Sequence, residues 1–175
     1  HLDGRSRMIT KMPIRLLTLQ ALDLPTRRVF WDIGFCTGSV SIEARLQFPH
    51  LQICSFEVRP ECERLMHANS RRFGTLGISI HIGDFLEIDI NLLPAPDAVF
   101  IGGHGGKLKE MLRKIQSVLL SGGCIVFNSV SPESRAMFEE GARDMGLRLC
   151  PPKHVALDDF NPITIMKAIS PHNEI

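Results

Sequence analysis

No apolar run in the 175-residue sequence reaches the roughly 18 residues needed to cross a bilayer. The opening His1-Leu2-Asp3-Gly4-Arg5-Ser6-Arg7 also lacks the apolar centre of a signal peptide. A soluble, cytoplasmic protein with no membrane partner is therefore expected. Cysteine is sparse: the five, at positions 36, 54, 62, 124 and 150, are odd in number and never form C-x-x-C. That pattern argues against a disulfide framework and against a zinc site. His1, His50, His67, His81, His154 and His172 share no ligand spacing, so no metal is expected. Strong charge is missing too, since a net +1 gives no general attraction to nucleic acid. The sequence has no Asn-Pro-Pro-aromatic segment for a flipped base, and no basic stripe interleaved with aromatics. Arg5, Arg7, Lys11 and Arg15 beside Asp3 make the first segment locally basic, a pattern that is usually a solvated face. An initiating methionine is absent as well. The expectation is a chain cut from a longer one, with linker or added residues at 1–7, one domain over 8–170 and a tail at 171–175.

What is present suits a single α/β domain: 44% of residues are hydrophobic and 22% charged, enough to bury a core at this length. A helical pattern over Thr10 to Leu22 ends before Pro25, and Val29-Phe30-Trp31 reads as the first strand. Gln52 to Glu57 is the second strand. Pro60 to Phe73 is a helix with proline in its first turn and Gly74 as its stop. Ile78 to Ile82 and Asp97 to Ile101 are further strands, and Lys107 to Leu120 is a helix ended by Gly122-Gly123. Cys124 to Phe127 is the fifth strand and Pro132 to Asp144 the next helix. Leu147-Arg148-Leu149 and His154 to Leu157 read as one strand broken by Pro151-Pro152, and Ile163 to Met166 as the last. Strand–helix alternation predicts a doubly wound, mostly parallel seven-stranded sheet. The short final connection predicts a closing antiparallel hairpin, which distinguishes S-adenosylmethionine methyltransferases from dehydrogenases.

The densest chemistry lies at Trp31-Asp32-Ile33-Gly34-Phe35-Cys36-Thr37-Gly38-Ser39. A glycine turn from Gly34 to Gly38 joins an apolar strand to a helix opening at Ser39, whose free N–H groups can face a ligand. A dinucleotide enzyme wants G-x-G-x-x-G, and here Cys36 stands between Gly34 and Gly38 with Ser39 following. Asp32, two residues before the first glycine, suits an S-adenosylmethionine enzyme, where such a carboxylate steers the methionine end. Glu57, at the end of the second strand and 25 positions beyond Asp32, is placed to accept two hydrogen bonds from a ribose diol. Gly83-Asp84-Phe85 follows the third strand. Asp84 is a candidate acceptor for an adenine amine and Phe85 a candidate to pack on the adenine ring, with an ordinary turn as the alternative. The lone Trp31 is expected in the core.

With these elements placed, the chain resembles the C15-methyltransferase component of the precorrin-6Y C5,15-methyltransferases (decarboxylating), corrin-ring enzymes of vitamin B12 synthesis. The resemblance runs through Met8-Ile9-Thr10-Lys11, Ile14-Arg15, Trp31-Asp32-Ile33-Gly34 and Thr37 to Ala44, then Asn69 with Arg72-Phe73-Gly74. It continues through Pro96 to Gly103, Gly105-Gly106, Gly122-Gly123 with Asn128, and Asn161-Pro162-Ile163. It implies S-adenosylmethionine as cofactor and a carboxylate-rich reduced tetrapyrrole as substrate. That substrate is methylated at carbon-15 and decarboxylated at the carbon-12 acetate. A C5-methyltransferase fused upstream and a homo-oligomer are implied as well.

On that resemblance Thr10 closes over the cofactor, and Lys11, Arg15 and Lys107 form a cationic rim for substrate carboxylates. Methyl transfer from a sulfonium needs positioning at about 3–3.5 Å rather than a strong base. Decarboxylation needs a proton delivered to the exocyclic carbon, and His104 in Gly102-Gly103-His104-Gly105-Gly106 is the candidate donor, with a plain loop histidine as the alternative. Gly103, Gly105 and Gly106 let a flat macrocycle approach the backbone, and Asn128 is either a substrate contact or a turn cap. The sequence departs from the family in two places: Cys36 replaces the middle glycine, and the Asp158-Asp159-Phe160 turn shortens the last arm. An RNA or other small-molecule methyltransferase, and a catalytically silent cofactor-binding or assembly module, are the alternatives.

Overall fold

A computed structural model that describes residues 9–158 and 160–172 shows, among them, five α-helices and eight strands, which mostly alternate up to the fifth helix and close on three strands in succession. The basic residues Arg5 and Arg7, Met8, the expected 1–7 linker, Asp159 and the last part of the expected 171–175 tail lie outside the described residues. The parallel strands are β1 (Val29–Ile33), β2 (Gln52–Glu57), β3 (Ile78–Ile82), β4 (Ala98–Ile101) and β5 (Cys124–Ser129). The short β6 (Arg148–Leu149) and β7 (Lys153–Val155) both pair antiparallel with β8 (Ile163–Ile169). The sheet order is β3-β2-β1-β4-β5-β8-β6, and β7 also lies on β8.

Among the described residues the strands are therefore eight rather than seven, with the extra strand arising from the predicted break. Arg148 pairs with Ile169 and Val155 with Ile163, so β6 and β7 line one edge of β8 in succession. Pro151 and Pro152 separate them because neither has an N–H to donate to the ladder.

The helices are α1 (Met12–Leu22), α2 (Ser39–Gln47), α3 (Glu61–Phe73), α4 (Leu108–Gln116) and α5 (Pro132–Asp144). α1 starts two residues later than its apolar pattern predicts, because Lys11 is extended at φ −59° and ψ 144°. α4 stops at Gln116, well short of Leu120. Its last carbonyls are taken by the Ser117, Val118 and Leu119 N–H groups and the Ser117 hydroxyl. Gly122-Gly123 then turns the chain into β5 instead of ending the helix.

Side chains alternate across β1 and feed two cores. Trp31 and Ile33 pack with Phe56, Val99, Ile101 and the apolar faces of α4 and α5. Phe30 packs on the other face with Leu19, Leu22, Val40, Phe100 and Val126. Asp32 shares Phe30's side of the strand, beneath α2. The strand order reverses between β1 and β4, and an open α/β sheet binds its ligands at such a point. Among the described residues no helix is long and apolar enough to cross a membrane.

Candidate active site

A cavity of about 560 Å³ opens at the C-terminal ends of β1, β2 and β4. Asp32 ends up here because it occupies an inward position of a strand with both faces covered. It is 1% exposed, and its Oδ2 accepts a hydrogen bond of 2.5 Å from the Ser41 hydroxyl of α2. Its Oδ1 is buried without a partner. Burial pushes its carboxyl up to about 7, against the bonds from Ser41 and with a smaller push from the Glu57 charge. A buried carboxylate oxygen with nothing to accept from is costly, and it fits a cationic or hydrogen-bonding ligand group.

The turn after β1 is shaped by glycine for packing as much as for a ligand. Gly34 has φ +79°, and a Cβ there would lie 2.8 Å from the Gly103 nitrogen. Gly38 has φ +78°, and a Cβ would sit on the Met66 sulfur. Cys36 holds a left-handed φ of 53° without being glycine. Its N–H donates to Glu57 Oε2 at 3.0 Å, which joins the turn to the end of β2.

Glu57 is 4% exposed, and Arg59 folds back onto it. The Arg59 N–H and Nε donate to Oε1 at 3.1 and 3.0 Å, and Nη2 donates to Oε2 at 3.0 Å. Burial alone raises the Glu57 carboxyl, but the bonds from Arg59 and from the Cys36 N–H outweigh it and hold the carboxyl below its ordinary value. Also in the cavity wall, Lys107 Nζ donates to Asp84 Oδ2 at 2.7 Å, and that contact, with the Leu86 N–H, holds Asp84 below its usual range.

The cavity wall includes Thr10, Asp32, Gly34, Phe35, Cys36, Glu57, Asp84, Phe85, Gly103, His104, Gly105 and Lys107. Several other predicted residues lie outside it. Thr37 is fully buried and its carbonyl accepts from Asn69, while Gly38 packs on Met66 behind the wall. Arg15 is committed to Glu43 Oε2 at 3.1 Å and to the Thr10 carbonyl, in a separate groove between α1 and α2. Lys11 stands 4.6 Å over the Phe160 ring, on the short last arm. Gly106 donates its N–H to His104 Nδ1 at 3.1 Å and does not line the cavity.

Asn128 is neither a turn cap nor a cavity residue. It lies within β5, and its amide donates to the Thr18 hydroxyl of α1 at 2.9 Å. The Phe85 ring lies in the cavity wall with the core behind it: it is 5% exposed and packs edge-on to Phe56 at 5.2 Å. His104 is half-buried against the edge of Phe127. Because Nδ1 accepts from Gly106, Nε2 carries the proton, and burial holds the imidazole below its ordinary 6.5. It is therefore neutral at pH 7 in the free chain, a hydrogen-bond donor rather than the ready acid that its loop position suggested.

Sequence reasoning missed Arg59, Val58, Leu86 and Met111, all in the cavity wall. Arg59 gave the one usable signal, a cation two residues beyond a strand-end carboxylate.

The family is decided by comparison with known proteins. A family profile described as "Precorrin methyltransferase domain" matches residues 3–175. The chain belongs to the precorrin methyltransferase family. It is 38% identical over 133 residues to the cobalt-precorrin-6B C(15)-methyltransferase (decarboxylating) of Salmonella typhimurium, covering 76% of this chain and 68% of that one. It is 38% identical over 135 residues to the precorrin-6Y C(5,15)-methyltransferase (decarboxylating) of a Sinorhizobium species, covering 77% of this chain but only 32% of that one. The crystal structure of precorrin-6Y C5,15-methyltransferase from Geobacter metallireducens superposes with a TM-score of 0.87 at 31% identity, covering 97% of this chain and 94% of that one. In this precorrin methyltransferase domain the strand order thus places Asp32, Glu57 and residues Gly102 to Gly105 around one cavity.

Proposed function

We propose that this chain methylates carbon-15 of a precorrin-6 type tetrapyrrole and decarboxylates its carbon-12 acetate, a step of cobalamin biosynthesis. The observation that carries the reading is an unpartnered, buried carboxylate oxygen on Asp32, in the cavity of a precorrin methyltransferase domain. Asp32 takes the ammonium end of S-adenosylmethionine, Glu57 its ribose hydroxyls and Asp84 its adenine amine. Thr10 and the backbone of Gly34, Phe35 and Cys36 enclose it. The chemistry supplied there by the bound cofactor is an electrophilic methyl group.

The chain's own part is to orient and to exclude water. A Cβ added at Gly103, Gly105 or Gly106 would meet nothing within 4 Å, so the outer side of that loop leaves room for a flat macrocycle. Lys107 supplies a cation for a substrate carboxylate, and His104 Nε2–H supplies a neutral donor beside it. A carboxylate brought against His104 favours the imidazolium, which lets the residue hold and release a proton only once substrate is present. The reading also includes a cytoplasmic location, a homo-oligomer and one domain over 8–170. An upstream C5-methyltransferase unit belongs to it because the matched region is 32% of a Sinorhizobium relative named for both positions.

The test is incubation with cobalt-precorrin-6B and S-adenosylmethionine, following the methyl gain and the carbon dioxide released by mass spectrometry. Both products are expected, and both are lost in Asp32→Ala. Wild-type protein that binds S-adenosylhomocysteine yet forms neither product would return the silent-module reading to first place.

A further inference from the structure

We propose that Arg59 is an internal competitor for the ribose subsite, its guanidinium holding the two positions on Glu57 that a cofactor's vicinal diol needs. The inference rests on the cofactor reading above and adds what that reading leaves out, namely what must move before the cofactor can enter.

An ionised carboxylate offers about four lone-pair sites. On Glu57 all four are met: Oε2 accepts from the Cys36 N–H and Arg59 Nη2, and Oε1 accepts from the Arg59 N–H and Nε. The Glu57 side chain is 3% exposed, so no water-facing edge is left for two more donors. Two of the four donors are backbone groups fixed by the turn and the strand end. The other two belong to one side chain that is 43% exposed and can swing into water. A ribose presents two neighbouring hydroxyls, which replace Nε–H and Nη2–H donor for donor on the same two oxygens. The carboxylate is therefore satisfied either way, and only the guanidinium has to leave.

The forked contact is a charge-assisted, bidentate pair, stronger than either neutral hydroxyl bond taken singly. The 43% exposure of Arg59 keeps it breakable, because the guanidinium regains water as it leaves, and a roughly threefold to tenfold equilibrium is the effect the titration reads. Apparent affinity for the cofactor falls by the fraction of chains in which Glu57 is free. The same competition acts on the product, because Arg59 returning to Glu57 helps to expel S-adenosylhomocysteine after turnover. A residue that merely orients Glu57 would have the opposite effect on binding, so the sign of one measurement separates the two roles.

The experiment is a calorimetric titration of the full chain with S-adenosylhomocysteine, at low and at high sodium chloride, for wild type, Arg59→Ala and Arg59→Lys. Arg59→Ala is expected to bind about three- to tenfold more tightly than wild type. Arg59→Lys should fall between them, because an ammonium attracts Glu57 without forming the fork. Added salt weakens the guanidinium–carboxylate pair, so wild type should tighten as salt rises while Arg59→Ala stays constant. Arg59→Ala binding as wild type does, or more weakly, overturns the competitor role and leaves the cofactor reading standing. Absence of binding in all three proteins overturns the cofactor reading, and the competitor role falls with it. A cooperative thermal melt of Arg59→Ala, lowered only by the few degrees that loss of one ion pair costs, confirms that the change in binding is not a loss of folding.

Discussion

Replacing Asp32 by Asn should stabilise the protein relative to wild type by a margin that grows as pH rises, while removing the carboxylate that the proposed function assigns to the cofactor. In the folded chain burial lifts the Asp32 carboxyl from 3.8 to about 7. The unfolded chain therefore releases this proton near pH 4 and the folded chain near pH 7. Between those values the folded state binds one proton more, so stability falls with rising pH, by roughly 1.4 kcal/mol per unit. The stability that wild type has below pH 4 is lost progressively up to pH 7, a penalty of roughly 4 kcal/mol if the full shift is realised. Asparagine carries no such penalty. It leaves a buried amide group where Oδ1 had no partner, at a cost of roughly 1–3 kcal/mol that does not vary with pH. The slope, not the offset, is then diagnostic. Urea unfolding of both proteins from pH 5 to pH 9 should give a stability difference that moves in favour of Asp32→Asn up to pH 7 and levels off above pH 8. Parallel curves would refute the claim that the fold holds Asp32 protonated. In the same range, wild-type affinity for S-adenosylhomocysteine should fall about tenfold per unit below pH 7, because its ammonium end needs the ionised carboxylate.

Cys36→Gly should stabilise the chain by about 1 kcal/mol, measured by urea midpoint, since φ 53° is strained for a residue with a Cβ. Its backbone N–H still reaches Glu57, so cofactor binding should be kept. Gly34→Ala should cost roughly 2–4 kcal/mol, because the new Cβ meets the Gly103 backbone at 2.8 Å in a left-handed conformation; an unchanged melting temperature would contradict that packing. His104→Gln keeps a donor but cannot be protonated, so carbon dioxide release should fall by at least tenfold while methyl transfer is largely kept. Equal loss of both would assign His104 to substrate binding alone. Lys107→Gln should raise KM for the tetrapyrrole about tenfold with little change in kcat, following loss of one charge-assisted contact.

The sequence by itself determined the order of elements, the mostly parallel sheet with its antiparallel close, and the strand-end positions of Asp32 and Glu57. These follow from local grammar: apolar runs of strand length, helix-period segments, and glycine or proline at their ends. It also marked the break between β6 and β7, since two prolines without N–H groups interrupt a ladder wherever the strand happens to lie. Only the tertiary structure decided which partner each polar group takes. Arg15 could have reached substrate but pairs with Glu43, and Asn128 could have capped a turn but bonds Thr18 from inside a strand. Lys107 and Asp84 were read as contacts for two different ligands, and the fold also sets them 2.7 Å apart as partners of each other. No spacing in the sequence reports that Gly34 must be small because Gly103 approaches it, or that Phe85 turns its ring into the core. Secondary structure is written in neighbours a few residues apart. Pairing depends on which side chains from distant segments come within about 3 Å, and only the assembled sheet brings them there.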